Sequence, residues 1–102
     1  MKTNIEIARM RDSADKACLL LKTLANPNRL ILLCQLSQSE KCVGELEGLV
    51  EIEQPTLSQQ LTVLRKEGLV KTRREGRQIY YSLSSEIASL VMGLLYEHYC
   101  FE

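Results

Sequence analysis

Four cysteines carry the most reactive side chains of this sequence: Cys18, Cys34, Cys42 and Cys100. Thiolates are nucleophiles and soft metal ligands, but these four have irregular spacings without a CxxC pair, so a secreted disulfide scaffold is not indicated. On chemistry alone Cys42 is the best candidate for a reactive thiol, because a helix N-terminus lowers a thiol pKa and exposure favours attack. The usual alternative for a free thiol is a small buried hydrophobic residue, which is our expectation for Cys18.

A second set of candidate residues lies in QPTLSQQLTVLRKEGLV, residues 54–70. Pro55 suits the first turn of a helix, and Leu57, Leu61 and Leu64 recur on one side of it. The opposite side offers amides and hydroxyls that can contact base edges and phosphates in a DNA major groove, on Gln54, Thr56, Ser58 and Gln59. The pattern predicts a DNA-reading helix, and a merely solvated surface helix is the alternative.

Charge is distributed unevenly, although 13 basic and 13 acidic residues balance overall. Residues 30–53 carry a net charge of −4 and residues 54–81 a net charge of +4. A basic segment attracts nucleic acid. We expect Arg73, Arg74 and Arg77 to lie at the tip of a hairpin and to contact phosphates or the minor groove. An ordinary solvated hairpin is the alternative.

The first half of the chain predicts three helices. Apolar residues at spacings of three and four from Ala14 onward indicate a first helix with one packed face. Asn26 and Pro27 are a good N-cap and first-turn pair for a second helix, which is apolar nearly all round and therefore central. A short third helix begins at Cys42, and Glu45 supplies the acidic half of its capping box.

The second half predicts a fourth helix, a hairpin and a final helix. The fourth helix ends at Gly68, the hairpin turns around Glu75 and Gly76, and the last helix begins near Ser84. A helix pair whose second member is polar outside and followed by a basic hairpin is typical of a winged helix-turn-helix. We therefore expect residues 1–102 to form one mainly α domain of five helices, with a small two-stranded β-hairpin wing before the last helix.

Several function classes are disfavoured. The first 25 residues carry charges throughout, and no apolar run approaches the length of a membrane span, so we expect a cytoplasmic protein without a membrane partner. The sequence offers no catalytic base, cofactor loop or CxxC, so we expect neither an enzyme nor a cofactor. A thiol-dependent redox enzyme is the remaining alternative of that class.

The blocks LKTLANPNRLILLCQL and VGELEGLVEIEQPTLSQQLTVLRKEGLVKTRREGRQIYYSL, with the closing helix, resemble the ArsR/SmtB family of small dimeric bacterial repressors. The resemblance covers residues 14–100. It implies a homodimer built on the first and last helices and bound to an imperfect palindrome in double-stranded promoter DNA. It also implies an inducer, which in this family is a metal, a metalloid or a thiol oxidant.

The surroundings of Cys34 (LILLCQL) and Cys100 (LLYEHYCFE) resemble the persulfide-sensing and thiol-sensing branch of that family, the BigR, SqrR and HlyU-like proteins. This resemblance implies that Cys34 and Cys100 form a dithiol redox sensor. A persulfide or an oxidant would bridge the two residues by sulfur and weaken DNA binding. The target genes implied are those of sulfide or persulfide detoxification.

A metal-responsive or metalloid-responsive repressor stays open as an alternative. Arsenic sensors of the family carry two cysteines flanking one residue at the start of the third helix, and here Gly44 breaks that chelate, so Cys42 would need a distant thiol. Zinc and nickel sensors use paired ligands on the last helix. Glu97 and His98 point about 100° apart on a helix and suit no shared metal, so we expect His98 to be a packing residue and predict no metal site.

A redox-responsive activator or antirepressor of virulence-type genes is a further alternative. HlyU-like members are thought to displace another DNA-binding protein from promoter sites. Such a protein would still bind DNA, and the sign of regulation would differ.

Overall fold

The computed structural model describes residues 4–99, which form five helices and three strands. The helices are α1 (Asn4–Leu24), α2 (Pro27–Gln38), α3 (Val43–Leu49), α4 (Gln54–Lys66) and α5 (Glu86–Tyr99). The strands are β1 (Lys41–Cys42), β2 (Val70–Glu75) and β3 (Gln78–Leu83), which form one antiparallel sheet in the order β1-β3-β2. The mainly helical winged helix-turn-helix class is confirmed, with β1 as a third strand that the sequence did not predict.

The helix termini follow local sequence signals. The Oδ1 atom of Asn26 accepts a hydrogen bond from the backbone N–H of Arg29 at 3.1 Å, which caps α2 as predicted. At the start of α3, the backbone N–H of Cys42 donates to Oε1 of Glu45 at 3.0 Å. Beyond α4, Gly68 has a φ of 78°, a conformation that costs glycine little. Each of these boundaries was predicted from residues close together in the chain.

The core is built around α2, as its all-round apolar character predicted. This helix contacts α1, α4, α5 and β3. Its leucines pack with the apolar side of α4 and with Ala88 and Met92 of α5. Burial of each leucine side chain contributes about 1.5–3 kcal/mol. The fully buried leucines are Leu32, Leu33, Leu46, Leu57, Leu61 and Leu64.

Helix α1 differs from its prediction. It begins at Asn4, well before Ala14, and most of its residues are exposed. On the predicted packing face Leu24 is buried, but Cys18 is exposed and Leu21 is 60% exposed. The expectation that this face, and with it Cys18, is buried is therefore wrong within a single chain. Helical spacing indicates that a face will be covered, but it does not say by which chain.

Among residues 4–99 no single helix is long and apolar enough to cross a membrane. Within that range, α1 and α2 reach that length and composition only when taken together, and a bend of 91° separates them.

Candidate nucleic-acid interface and cysteine pocket

Helix α4 separates its packing side from a polar outer side. Leu57, Leu61 and Leu64 are fully buried and hold the helix against the body of the protein. Of the residues predicted to read DNA, Gln54, Ser58 and Gln59 are exposed and Thr56 is half-buried. These amides and hydroxyls can therefore meet base edges and phosphates without unpacking the helix.

Gln60 of the same helix has a structural role that the sequence analysis missed. The Nε atom of Arg29 donates to Oε1 of Gln60 at 2.8 Å, and another nitrogen of the same guanidinium, Nη1, donates to the carbonyl oxygen of Thr23 at 3.1 Å. Arg29 therefore joins the end of α1 to α4. No short-range signal pairs residues 29 and 60, because the fold alone brings them together.

The three arginines of the hairpin lie at different distances from its tip. Arg77 is exposed in the turn between β2 and β3, next to Gly76, whose φ is 63°. The Nε atom of Arg74 donates to the carbonyl oxygen of Gly76 at 3.2 Å. Arg73 lies farther from the tip, opposite Tyr80 in the register, and its guanidinium carbon is 4.7 Å from the centroid of the Tyr80 ring.

Arg73 also forms an ion pair with a residue outside the hairpin. Its Nε atom donates to both carboxylate oxygens of Glu40 at 3.0 Å, and its Nη2 atom donates to Oε1 of Glu40. Its Nη1 atom lies 3.1 Å from Oε2 of Glu75. The hydrogen bonds from Arg73 hold the pKa of the Glu40 carboxyl below its ordinary value, and those to Glu40 and Glu75 raise the pKa of Arg73.

Cys34 lies in the wall of an apolar pocket between α2 and α5. It is half-buried, and the pocket has a volume of about 470 Å³. Cys100, its predicted partner, lies outside the described residues, but Tyr99, the residue before it, lines the same pocket. The other lining residues are Leu30, Ile31, Gln35, Met92, Leu95 and Tyr96.

Cys42 and His98 differ from their predictions. Cys42 is only 8% exposed, because it pairs with Tyr80 of β3 and begins α3 at the same time, so the exposure that favoured it on chemistry alone is not found. His98 is exposed and has no buried packing position within a single chain. In the part of the chain that the structure describes, no three His, Cys, Asp or Glu side chains gather closely enough to hold a metal ion.

Helices α1 and α5 expose large apolar side chains at helical spacing. Exposed apolar patches of this kind mark interaction surfaces. On α5 the exposed side of the helix begins beside the buried Ala88 and Met92, so one helix serves two contacts. The exposed residues are Ile5, Ile7, Met10, Leu19 and Leu21 on α1, and Ile87, Leu90, Leu94, Tyr96 and Tyr99 on α5.

Comparison with known proteins identifies the family. Residues 26–72 match the arsR family of bacterial regulatory proteins. The chain is 50% identical over 96 residues to the biofilm growth-associated repressor of Agrobacterium fabrum, an alignment that covers 94% of this chain and 82% of that one. The chain belongs to the ArsR family. It is therefore a DNA-binding transcriptional regulator and not an enzyme.

Two further comparisons extend this result. The ArsR-family chain is 42% identical over 96 residues to the transcriptional activator HlyU of Vibrio cholerae, covering 94% of this chain and 89% of that one. Reduced HlyU from Vibrio cholerae N16961 matches its structure with a TM-score of 0.87 and 43% identity, over 91% of this chain and 98% of that chain. The family fold is thus confirmed over nearly the whole chain.

Proposed function

We propose that residues 1–102 form a single DNA-binding and dimerisation domain, a repressor that loses DNA affinity when sulfur bridges Cys34 and Cys100. One observation carries the proposal. Cys34 lies in the wall of a pocket to which α5 contributes Tyr99, and Cys100 is the residue that follows Tyr99 in the sequence. Persulfide-responsive or oxidant-responsive genes, with sulfide and persulfide detoxification foremost, are the targets that fit this chemistry.

The DNA surface combines α4 with the hairpin. The exposed Gln54, Ser58 and Gln59, with the half-buried Thr56, supply groups for the major groove. Arg73, Arg74 and Arg77 add positive charge on the hairpin beside them. A two-fold dimer presents this surface twice, which fits the imperfect palindrome in double-stranded promoter DNA that the family resemblance implies.

The exposed apolar sides of α1 and α5 support a homodimer. Leu90, the most exposed leucine of α5, has 65% of its surface in contact with solvent in a single chain. Covering two such helices at once removes a large apolar area from water, at about 25 cal/mol per Å². The same helix α5 then carries the dimer contact with Leu90 and Leu94 and also lines the cysteine pocket with Met92 and Leu95.

With a persulfide as the oxidant, the switching chemistry takes two steps. The Cys34 thiolate attacks the terminal sulfur of R–S–SH, forms a cysteine persulfide and releases the thiol RSH. The Cys100 thiolate then attacks the Cys34 sulfur and expels hydrogen sulfide. In sum, two cysteine thiols and one persulfide give one disulfide, RSH and H₂S. The dithiol loses two electrons, and further persulfide lengthens the bridge to a polysulfide.

The bridge would act on DNA binding through the packing of α2. This helix contacts both α5, which carries the dimer surface, and α4, which carries the DNA surface. A bridge between the second and the last helix therefore changes the spacing of the two α4 helices in the dimer. A shift of about 1.4–3 kcal/mol is enough to change affinity ten- to more than a hundredfold.

The test measures DNA affinity at fixed salt for the reduced protein, after an organic persulfide, and again after a thiol reductant. We expect reversible loss of affinity in the wild type. Cys34→Ser and Cys100→Ser should bind DNA with an affinity that the persulfide does not change. The control Cys18→Ser, which removes an exposed thiol outside the pocket, should lose affinity as the wild type does. A full response to the persulfide in both Cys34→Ser and Cys100→Ser would overturn the sensor assignment.

An activator or antirepressor is the second candidate function. Its support is the 42% identity to a protein named as a transcriptional activator. The thiol switch would be the same, and the sign of its effect on transcription would be reversed. A promoter reporter in cells with and without the gene decides between them: higher reporter expression in the deletion strain indicates a repressor.

A further inference from the structure

We propose that Glu40, Arg73 and Tyr80 form a clamp that positions the hairpin for DNA binding. In this role Arg73 acts on DNA by holding the arginines nearer the tip, and its own guanidinium is engaged within the protein. The proposal does not depend on the thiol switch, because it concerns the DNA affinity of the reduced protein.

The clamp crosses the whole sheet. In the strand register, Tyr80 of β3 lies opposite Arg73 of β2 on one side and opposite Cys42 of β1 on the other. The Arg73 side chain passes over the Tyr80 ring, at 4.7 Å from the centroid, and reaches Glu40, which precedes β1. Its Nε atom contacts both carboxylate oxygens of Glu40 at 3.0 Å. A planar guanidinium suits this combination of stacking and forked hydrogen bonding, and a lysine does not.

The position of the clamp matches the point where support for the hairpin ends. Strand β1 pairs with Tyr81 and Tyr80, so the Arg73–Tyr80 row is the last one with three strands. Beyond this row the strands continue as a pair through Arg74–Ile79 and Glu75–Gln78, and residues 73–79 are exposed. A two-stranded ribbon is marginally stable by itself. The clamp therefore restrains the hairpin at the base of its free tip.

The other end of the clamp is fixed to the body of the protein. Lys41, next to Glu40, is buried, and its Nζ atom donates to the carbonyl oxygens of Gln35 at 2.8 Å and Ser39 at 3.3 Å and to Oγ of Ser39 at 2.9 Å. These hydrogen bonds tie the segment carrying Glu40 to the C-terminal end of α2. The clamp therefore connects the hairpin tip, which carries Arg74 and Arg77, to the central helix α2.

The clamp and simple electrostatics predict opposite effects for Glu40→Gln. If the affinity for DNA depends only on net charge, removal of the Glu40 carboxylate strengthens binding, because less negative charge faces the phosphates. The same change weakens binding if Glu40 positions the hairpin. Glu47→Gln is the matched control, because Glu47 is an exposed acidic residue of α3 and its loss changes the charge equally.

The experiment measures operator affinity of the reduced dimer at several salt concentrations. We expect Glu40→Gln to weaken binding about threefold or more, with two hairpins per dimer, whereas Glu47→Gln binds equally well or better. Arg73→Lys keeps the positive charge but loses the forked hydrogen bonding of the guanidinium to Glu40, so it should weaken DNA binding as Glu40→Gln does. Hydrogen exchange of residues 70–83 should increase in both clamp variants but not in Glu47→Gln.

Rescue provides the second test. Arg73→Glu should weaken binding strongly, and the double variant Glu40→Arg with Arg73→Glu should recover part of the loss by reversing the pair. Unchanged or tighter binding by Glu40→Gln, with a steeper salt dependence, would overturn the clamp, because it would mean that Glu40 merely competes with phosphate for Arg73. Wild-type affinity in Arg73→Lys would overturn it equally.

Discussion

Helices α4 and α5 carry similar apolar stripes but use them differently. In α4 the three leucines Leu57, Leu61 and Leu64 are fully buried within one chain. In α5 Leu90 and Leu94 recur at the same kind of spacing and stay more than half exposed. A helix whose apolar side is already covered is free to present its polar side to DNA. A helix whose apolar side is still exposed calls for a second chain.

The largest effect is expected on stability, from truncating a buried leucine of α4. Leu61→Ala removes a fully buried side chain and leaves a cavity, so we expect the free energy of unfolding to fall by about 2–5 kcal/mol. Urea unfolding at equal protein concentration measures this. Leu49→Ala, at a leucine that is 55% exposed, is the control and should change stability by less than about 0.5 kcal/mol. Equal losses in both variants would contradict the comparison.

Breaking the exposed stripe should change association instead. Leu94→Glu places a charge in the proposed dimer contact, so we expect the dissociation constant of the dimer to rise about ten- to a hundredfold, because a charge is costly to bury. Sedimentation over a range of concentrations measures it. Ile79→Glu makes the same kind of change at a 43% exposed hairpin residue and should leave the dimer intact. Weakened association in Ile79→Glu alone would point to a hairpin interface.

A smaller effect is expected on DNA affinity when a cation is removed from the hairpin. Arg77→Ala removes an exposed cation from the hairpin turn. We expect weaker binding to all DNA sequences alike and a salt slope reduced by about 1 for each phosphate that Arg77 neutralises in the wild type. Lys16→Ala, an exposed cation of α1 paired with Asp12, is the control for net charge. An unaltered slope in Arg77→Ala would remove this arginine from the interface.

The smallest effect concerns pH and the Glu40–Arg73 pair. Arg73 lowers the pKa of Glu40 in the folded protein below its unfolded value. The stability that this carboxylate contributes is therefore present above the ordinary carboxyl pKa of about 4.3, and it is lost as pH falls through the lowered folded pKa. Urea unfolding should show wild type and Glu40→Gln differing near neutral pH and converging in acid. High salt should shrink the difference, because the pair is exposed.

The assignment of the redox-sensing cysteines depends on both the sequence and the structure. The family resemblance nominated Cys34 and Cys100, although thiol chemistry alone favoured Cys42. The structure corrects the second argument, since β1 and the start of α3 bury Cys42. The pairing of Cys34 with Cys100 stays a prediction, supported by the pocket that Cys34 shares with Tyr99.

The sequence by itself determined the local features of this protein: the cap of α2 at Asn26, the leucine side of α4, and the turn at Gly76. Each depends on residues within a few positions of one another, where backbone geometry decides the outcome. Only the tertiary structure decided the ion pair of Glu40 with Arg73, 33 residues apart, and the exposure of the apolar side of α1. Such features depend on which distant segments the packed core brings together, and no local spacing encodes that.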